Sequence, residues 1–303
     1  MSGLSALFLD NLLPIFLAAG AGSLLSRLLG VAPRTLSQVT FYIFSPALIF
    51  TLLVHSQLNN TAITSMVGFA LMVNLLVGAT AFLIARAARL ERRMIAAVLI
   101  TTMFMNAGNF GLSVNSFAFG EDALSFASLF FVTNSMMVYT FGVIIASMGK
   151  TGLKQALLNL TKLPLIYAMI LAFVFLFTGW QLPLPIDRTV TLLGQAAIPA
   201  MLVLLGMQLQ HAQWNGQVLP LAITSLVRLL ISPAIAILLA LVFGLQGASR
   251  QAGILEAAMP TAVITTILAI EYDVEPTFVT AAVFVTTLLS ALTLTPLLAY
   301  LGT

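Results

Sequence analysis

The stretch Asn106-Ala-Gly-Asn-Phe-Gly-Leu112 interrupts a long apolar run that would otherwise form one helix. Glycine loses more conformational freedom on folding than other residues, so Gly108 and Gly111 weaken a helix at this point. The side chains of Asn106 and Asn109 bond to nearby backbone groups and compete with helical hydrogen bonds. The sequence therefore predicts a helix that is broken near these residues.

A second break is predicted at Ala257-Ala-Met-Pro260-Thr-Ala262. Pro260 has no N–H group, and its ring clashes with the carbonyl four residues earlier, which belongs to Glu256. We expect this clash to leave the Glu256 carbonyl free. After each break, a new half-helix directs its first N–H groups and the positive end of its dipole toward the gap. The two breaks favour an anionic ligand, and the alternative is that they are only kinks and packing glycines.

The composition of the chain places these breaks inside a membrane. The chain has 303 residues, of which 60% are hydrophobic and 7% charged, and its mean hydropathy is +1.10. A soluble domain is nearer to about 25% charged. The net charge of +3 is too small to indicate nucleic-acid binding. The absence of cysteine excludes disulfides, thiolate metal sites and cysteine nucleophiles.

Ten apolar runs are candidates for membrane spans, since a bilayer needs about 20 residues per helix. They lack the alternation of a porin strand. The predicted fold class is therefore an all-α integral membrane protein with ten transmembrane helices. The predicted spans, numbered one to ten, are Leu7–Leu29, Thr35–Val54, Ala62–Ala85, Met94–Phe119, Ala123–Met148, Leu163–Trp180, Thr189–Gln208, Val218–Phe243, Gln251–Ile270 and Thr277–Leu301.

Lysine and arginine predict the orientation, because short cytoplasmic loops carry an excess of both. The opposite side of the membrane has only Arg188 and Arg250. We expect both termini on the non-cytoplasmic side of the inner (plasma) membrane, and the connection between spans five and six in the cytoplasm. The basic residues of the predicted cytoplasmic connections are Arg27, Arg34, Arg86, Arg89, Arg92, Arg93, Lys150, Lys154 and Lys162.

The two halves of the chain resemble each other, which predicts an internal repeat. Pro46-Ala47 in span two matches Pro199-Ala200 in span seven, and Gln57 matches Gln210 at the same offset. Five spans per repeat is an odd number, so the halves must be inverted in the membrane, as in many secondary transporters. The predicted units are a first five-helix repeat at 1–149, a short cytoplasmic linker at 150–162 and a second five-helix repeat at 163–303.

The last third of the chain resembles the auxin efflux carrier family. The resemblance lies in four motifs, which are Arg228-Leu-Leu-Ile-Ser-Pro233, Ala257-Ala-Met-Pro260, Glu271-Tyr-Asp-Val-Glu-Pro276 and Thr280-Ala-Ala-Val-Phe284. Plant auxin carriers show an Arg-x-x-x-x-Pro, an Ala-Ala-Leu-Pro, a Glu-Tyr-Asn-Val-x-Pro and a Thr-Ala-Val-Ile-Phe in that order. Val138-Tyr139-Thr140 resembles their Trp-Tyr-Thr, which puts Asn134 where they carry a glutamine.

This resemblance implies a ten-helix fold related to the bile-acid symporters, in which helices four and nine cross at their breaks. It also implies export or exchange of organic anions and a homodimer. The chain departs from the plant pattern, because Thr261-Ala262 replaces their Gln-Gly and the connection between spans five and six is short. These departures favour substrates other than auxin, and bacterial relatives are associated with malonate and other small carboxylates.

The candidate site residues lie at the breaks and in the neighbouring spans. Polar or charged groups inside a membrane are functional hypotheses by default, so Glu256 and Arg228 are the candidate coupling residues. The alternative for this pair is a static ion pair. For the others, the alternatives are hydrogen bonding between helices and core packing. The predicted substrate-binding residues are Asn106, Asn109, Gly108, Pro260, Thr261, Asn134, Tyr139 and Ser45.

A carboxylate such as that of Glu256 suits a transferable proton or a small hard cation, which prefers oxygen ligands. Glu256-Ala-Ala-Met259 resembles the Glu-x-x-Met that helps hold sodium in bile-acid symporters. Auxin carriers, the nearer relatives, are not regarded as sodium-dependent. The resemblance therefore favours transport driven by protons or by the membrane potential over sodium coupling.

The predicted function is secondary transport of small organic anions, malonate-like or auxin-like, by alternating access around a midplane site. The partners expected are the substrate, the lipid bilayer and a second copy of the chain. No cofactor or metal site is predicted. An enzyme needs a nucleophile with a base, or a metal cluster, and the sequence has no His-Glu-x-x-His motif. The alternative function is a membrane sensor that does not transport, or an intramembrane enzyme.

Overall fold

A computed structural model describes residues 3–148, 152–210 and 216–302, and these residues are almost entirely helical. Lys150, at the start of the predicted linker, and His211 lie outside the described residues. The helices, numbered in chain order, are α1 Leu4–Leu29, α2 Pro33–Val54, α3 Asn60–Ala87, α4 Arg92–Met103, α5 Ala107–Ala146, α6 Leu153–Leu160, α7 Pro164–Thr178, α8 Leu184–Leu209, α9 Val218–Val242, α10 Gly247–Ala257, α11 Ile264–Glu271 and α12 Pro276–Leu301.

Seven of these helices are long and apolar enough to cross a membrane, namely α1, α2, α3, α5, α8, α9 and α12. This confirms an all-α membrane protein, whereas the ten crossings and the inverted repeat stay predictions. Gly120 has a φ of 74° and divides α5 by a kink. The part of α5 before Gly120 corresponds to the second half of the predicted fourth span. The part after Gly120 corresponds to the predicted fifth span.

Wide π-helical turns precede three prolines and follow from proline chemistry. The turns at Phe8–Leu12, Thr40–Phe44 and Val227–Ile231 come just before Pro14, Pro46 and Pro233. A proline removes one helical hydrogen bond and pushes away the carbonyl one turn earlier, and a π turn relieves that clash. Such turns are frequent at functional sites.

The helices form two groups, between which the candidate site lies. In the first group, α1 packs against α8, and α2 packs against α7 and α8. Gly22 and Gly206 permit the close crossing of α1 and α8, because a Cβ at either would overlap a backbone carbonyl of the other helix. In the second group, α3 packs against α4, α5 and α9, while α10 packs against α5 and α9.

Candidate functional site

The two predicted breaks are present, and their backbones pair with each other. Helix α4 ends at Met103 and α5 begins at Ala107, while α10 ends at Ala257 and α11 begins at Ile264. Between them, Met105 and Thr261 form an isolated antiparallel bridge. The Asn106 N–H donates to the Pro260 carbonyl at 2.8 Å, and the Ala262 N–H donates to the Phe104 carbonyl at 3.0 Å. Each break thus satisfies backbone groups of the other, as a membrane interior requires.

The prediction of a free Glu256 carbonyl is wrong. That oxygen accepts a hydrogen bond from the Met259 N–H at 3.2 Å, and the Ala258 N–H bonds to the Leu255 carbonyl at 3.0 Å. The chain tightens into a three-residue turn before Pro260, and this turn supplies donors that a regular helix would not. No cluster of carboxylate and free carbonyl oxygens therefore arises from Glu256 alone.

A cavity of about 140 Å³ lies beside the crossing. Both new half-helices begin on it, since Ala107 to Asn109 and Ala262 to Ile264 are in its wall. The first N–H groups of a helix have no partner within it, and they carry the positive end of its dipole. The cavity is lined by Ser37, Thr40, Phe41, Ser45, Met105, Asn106, Ala107, Gly108, Asn109, Phe131, Asn134, Ser135, Val138, Tyr139, Leu165, Met201, Leu204, Gln208, Ala262, Val263, Ile264 and Ile267.

Most of the predicted substrate-binding residues meet at this cavity. Six of the eight line it, and these are Ser45, Asn106, Gly108, Asn109, Asn134 and Tyr139. Pro260 and Thr261 are absent from its lining. Thr261 is turned toward the protein, because its hydroxyl donates to the Thr101 carbonyl at 2.7 Å. Its N–H donates to the Thr286 hydroxyl at 3.1 Å.

Buried amide groups face the cavity without partners. Asn106 is 5% exposed, and its Nδ2 has no hydrogen-bond partner among the described residues. Asn134 donates its Nδ2 to the Met105 carbonyl at 3.0 Å, whereas its Oδ1 is unpartnered in the same part of the chain. A buried polar group without a partner costs free energy, of the order of 1–3 kcal/mol. A ligand or water that fills the cavity would remove this cost.

Gln208 is a lining residue that the sequence analysis did not select. Its Oε1 is buried, and the described residues offer it no hydrogen-bond partner. Gln208 is the last residue of the predicted span seven, and the sequence alone does not show which way its side chain faces. That its side chain faces the cavity becomes visible only once the positions of the helices are known.

In the part of the chain that the structure describes, no lysine, arginine or acidic residue lines the cavity. Its donors are therefore neutral amides, hydroxyls and backbone N–H groups. Such donors bind carboxylates well when they are oriented beforehand, because charge-assisted hydrogen bonds are stronger than neutral ones.

Glu256 lies outside the cavity and has a partner that the sequence analysis missed. It is fully buried, and its Oε1 accepts a hydrogen bond from Asn115 Nδ2 at 3.0 Å. A Cβ on Gly111 would lie 2.7 Å from the Glu256 Cδ, so any larger residue there would force this carboxyl to move. Asn115 also donates to the Gly111 carbonyl at 3.0 Å. The Glu256 Oε2 and the Asn115 Oδ1 have no partner among the described residues.

Glu256 and Arg228 are not paired with each other. Within the described ranges, the close contacts between basic and acidic side chains are His55 with Asp187 at 3.1 Å and Arg93 with Asp273 at 2.7 Å. Arg228 instead donates to the Thr102 carbonyl at 2.5 Å and to the Ala257 carbonyl. The static ion pair considered as an alternative is therefore not the arrangement of these two side chains.

The cavity adjoins a wider one toward one end of the bundle. That second cavity measures about 490 Å³ and shares Ser37, Gln208, Val263 and Ile267 with the first. Arg34 also lines it, and Arg34 belongs to the connection between α1 and α2. The candidate site thus adjoins a cavity that is lined by a basic residue of this connection.

The opposite end of the bundle is separated from the site by apolar side chains. A cavity of about 710 Å³ there is lined by polar residues that include His55, Glu121 and Asp122, and it shares no lining residue with the first cavity. A buried apolar cluster, here called the plug, reaches from one cavity to the other. The plug consists of Leu48, Leu52, Leu112, Ala123, Leu124, Ala127, Ala197, Met201 and Ala252.

Two interrupted helices that meet at a polar cavity within a helical membrane bundle are typical of secondary transporters. Residues 7–298 match the family described as membrane transport protein, so the chain belongs to this family, the auxin efflux carrier family. An uncharacterized transporter of Methanothermobacter thermautotrophicus is 28% identical over 262 residues, which cover 86% of each chain. An uncharacterized transporter of Methanocaldococcus jannaschii is 26% identical over 269 residues, again 86% of each chain.

Proposed function

We propose that this protein is a secondary transporter of small organic anions, such as mono- or dicarboxylates of the malonate or auxin type. The observation that carries the proposal is the Nδ2 of buried Asn106, which has no hydrogen-bond partner in the described chain and lies at a cavity on which two half-helices begin. Amide donors and the positive ends of helices are complementary to a carboxylate. A lining without acidic side chains adds no repulsion.

The ten-span topology completes this proposal. The chain crosses the membrane ten times in two inverted five-helix repeats, 1–149 and 163–303. Helix α4 with the first part of α5 forms the broken span four, and α10 with α11 forms the broken span nine. The His55–Asp187 and Arg93–Asp273 pairs each join two connections on the same predicted side. A second copy of the chain forms a homodimer with it in the inner membrane.

Alternating access follows from the two unequal ends of the bundle. The site adjoins the cavity lined by Arg34 and is closed by the plug on the side of His55. The plug joins residues of both helix groups, for example Leu48 of α2 and Leu124 of α5. Relative movement of the two groups would open the plug and close the cavity at Arg34. In this proposal, the cavity at Arg34 is the opening toward the cytoplasm.

Flux through the purified protein in liposomes tests the proposal. We expect counterflow of radiolabelled malonate, or of another member of a panel of small mono- and dicarboxylates. Uptake should depend on the protein and be inhibited by excess unlabelled substrate. Liposomes with the Asn106→Ala variant serve as the matched control. Absence of flux for every anion of the panel, with folded protein, would favour the sensor.

Coupling is assigned to Glu256, with Asn115 as its partner. An ionised carboxylate is costly inside a membrane unless it is paired, and its only described hydrogen-bond partner is Asn115. Proton binding at Glu256 would therefore alter its bond to Asn115 and the contact of α10 with α5. Glu256→Gln keeps the shape but cannot exchange a proton. We expect this variant to fold and to exchange substrate, and we expect its transport rate not to increase when a pH gradient is imposed.

The sodium alternative is tested on the same variant with a sodium gradient in place of the pH gradient. Glu256→Asp is the control, because it keeps an ionisable group on a shorter side chain. Full responses of Glu256→Gln to both gradients would show that another group carries the coupling.

The absence of cysteine allows a direct test of the orientation. Single cysteines at Lys154 and at Asn59 lie at opposite predicted faces. We expect an impermeant thiol reagent added to intact cells to label the cysteine at Asn59 and to leave the one at Lys154 unlabelled. The reverse pattern would invert the topology.

A further inference from the structure

Arg228 is a buried cation that transport chemistry at the cavity does not use. It is fully buried and lies in the π turn Val227–Ile231 of α9. Its Nη1 donates to the Thr102 carbonyl at 2.5 Å, and its Nη2 donates to the Ala257 carbonyl and to the Ser232 hydroxyl. The Ser232 hydroxyl donates to the same Ala257 carbonyl at 2.7 Å.

Both carbonyls that Arg228 contacts are at the C-terminal ends of half-helices. Thr102 is in the last turn of α4, and Ala257 is the last residue of α10. The C-terminal end of a helix carries roughly half a unit of negative charge. A cation between two such ends is stabilising, and no acidic side chain is paired with Arg228 in the described part of the chain.

The four helix ends at the crossing are thus separated according to the sign of their dipole charge. The two negative ends of α4 and α10 face Arg228, whereas the two positive ends of α5 and α11 face the cavity. We infer that Arg228 is the built-in cation of the crossing and that it holds the two negative helix ends together. The anion of the proposed function then meets only the positive ends.

Arg228 is therefore a positioning residue rather than a coupling residue. Guanidinium groups remain charged under ordinary conditions, so Arg228 supplies a constant charge while Glu256 varies. Two predictions follow from this role. The wild-type crossing does not bind sodium between α4 and α10, and loss of the guanidinium leaves a site that a small cation can fill.

The test measures thermal stability in detergent and needs no transport substrate, so it fails or succeeds independently of the proposed function. The probe is guanidinium chloride at a few millimolar, compared with N-methylglucamine chloride at equal ionic strength. We expect Arg228→Ala to melt at a lower temperature than wild type and to regain several degrees, saturably, with guanidinium. Wild type should not respond. Arg250→Ala is the matched control, because Arg250 lies over the Tyr300 ring at the other end of α10.

A folded Arg228→Ala that melts like wild type, or that gains nothing from guanidinium, would overturn the inference. If Arg228→Ala does not fold, Arg228→Lys and Arg228→Met are compared, since they have similar lengths and differ in charge. We expect the lysine variant to melt several degrees higher than the methionine variant. Equal melting temperatures would show that the charge at this position is not what holds the two helix ends.

Discussion

The first break, between α4 and α5, and the second break, between α10 and α11, share a backbone arrangement but differ in their side chains. Each break donates one backbone hydrogen bond to the other. The half-helix before each break ends with a carbonyl that accepts a hydrogen bond from Arg228. The first break turns Asn106 and Asn109 toward the cavity. The second contributes backbone and apolar side chains there, while its polar Thr261 bonds inside the protein.

This difference follows from how each helix is interrupted. Glycine and asparagine break the first helix, and asparagine brings polar groups with it. Proline breaks the second helix without adding any donor. Two breaks with similar backbone structure can therefore have different roles: the first recognises the ligand, and the second holds the crossing in place. The following predictions test that division.

The largest effect is expected where the two breaks meet through Gly111 and Glu256. Gly111→Ala adds a Cβ that would lie 2.7 Å from the Glu256 Cδ and nearer still to its Oε2. Overpacking of a tight site costs about 1–3 kcal/mol, and here it also separates Glu256 from Asn115. We expect loss of transport and a lower melting temperature of the purified protein.

Gly20→Ala is the control for this change, because a Cβ at Gly20 would meet nothing within 4 Å. It should behave as wild type. If Gly111→Ala transports normally, the contact between Gly111 and Glu256 is not required, and the first break does not depend on its glycine.

Local chemistry explains which parts of the site could be predicted from sequence. The positions of both breaks follow from glycine, asparagine and proline, and the structure has them where they were expected. The Glu256 carbonyl was misjudged because the chain before Pro260 turns more tightly than an α-helix, which is a choice that no single residue determines. Asn115 was overlooked because it follows the broken segment, although its position four residues after Gly111 places both on one helix face.

Contacts between distant helices could not be predicted in the same way. Arg228 is 29 residues from Ala257 along the chain, and its binding to both half-helix ends depends on the angle at which α9 crosses them. The match between the chain halves indicates a repeat but does not give the rotation of each helix. Six of the predicted substrate-binding residues meet at the cavity, because the spans that carry them surround the first break.

An intermediate effect is expected from Asn106→Ala, which removes the unpartnered donor of the first break. Loss of a hydrogen bond to a charged ligand costs about 1–3 kcal/mol, which corresponds to a roughly 5- to 150-fold weaker apparent affinity. The measurement is the concentration dependence of substrate uptake into liposomes. The folded state should be unaffected, since Asn106 Nδ2 has no partner to lose in the described chain.

Asn74→Ala is the matched control for that variant, because Asn74 is also buried, and among the described residues its one hydrogen bond goes to the Ala70 carbonyl of its own helix at 2.8 Å. It should leave the apparent affinity unchanged. Equal affinities for Asn106→Ala and wild type, at normal expression, would remove Asn106 from the site and with it the stated difference between the two breaks.

The smallest effect is expected from Thr261→Val in the second break. Valine has nearly the shape of threonine but lacks the hydroxyl that donates to the Thr101 carbonyl at 2.7 Å. One buried hydrogen bond contributes about 1 kcal/mol to stability, so the melting temperature should fall by a few degrees. The apparent affinity should stay within about twofold of wild type, because the Thr261 side chain does not line the cavity. Thr261→Ser restores the donor and should restore the melting temperature. A Thr261→Val variant with normal stability but a tenfold weaker affinity would mean that the second break also binds the ligand through its side chains, and the division between the two breaks would not hold.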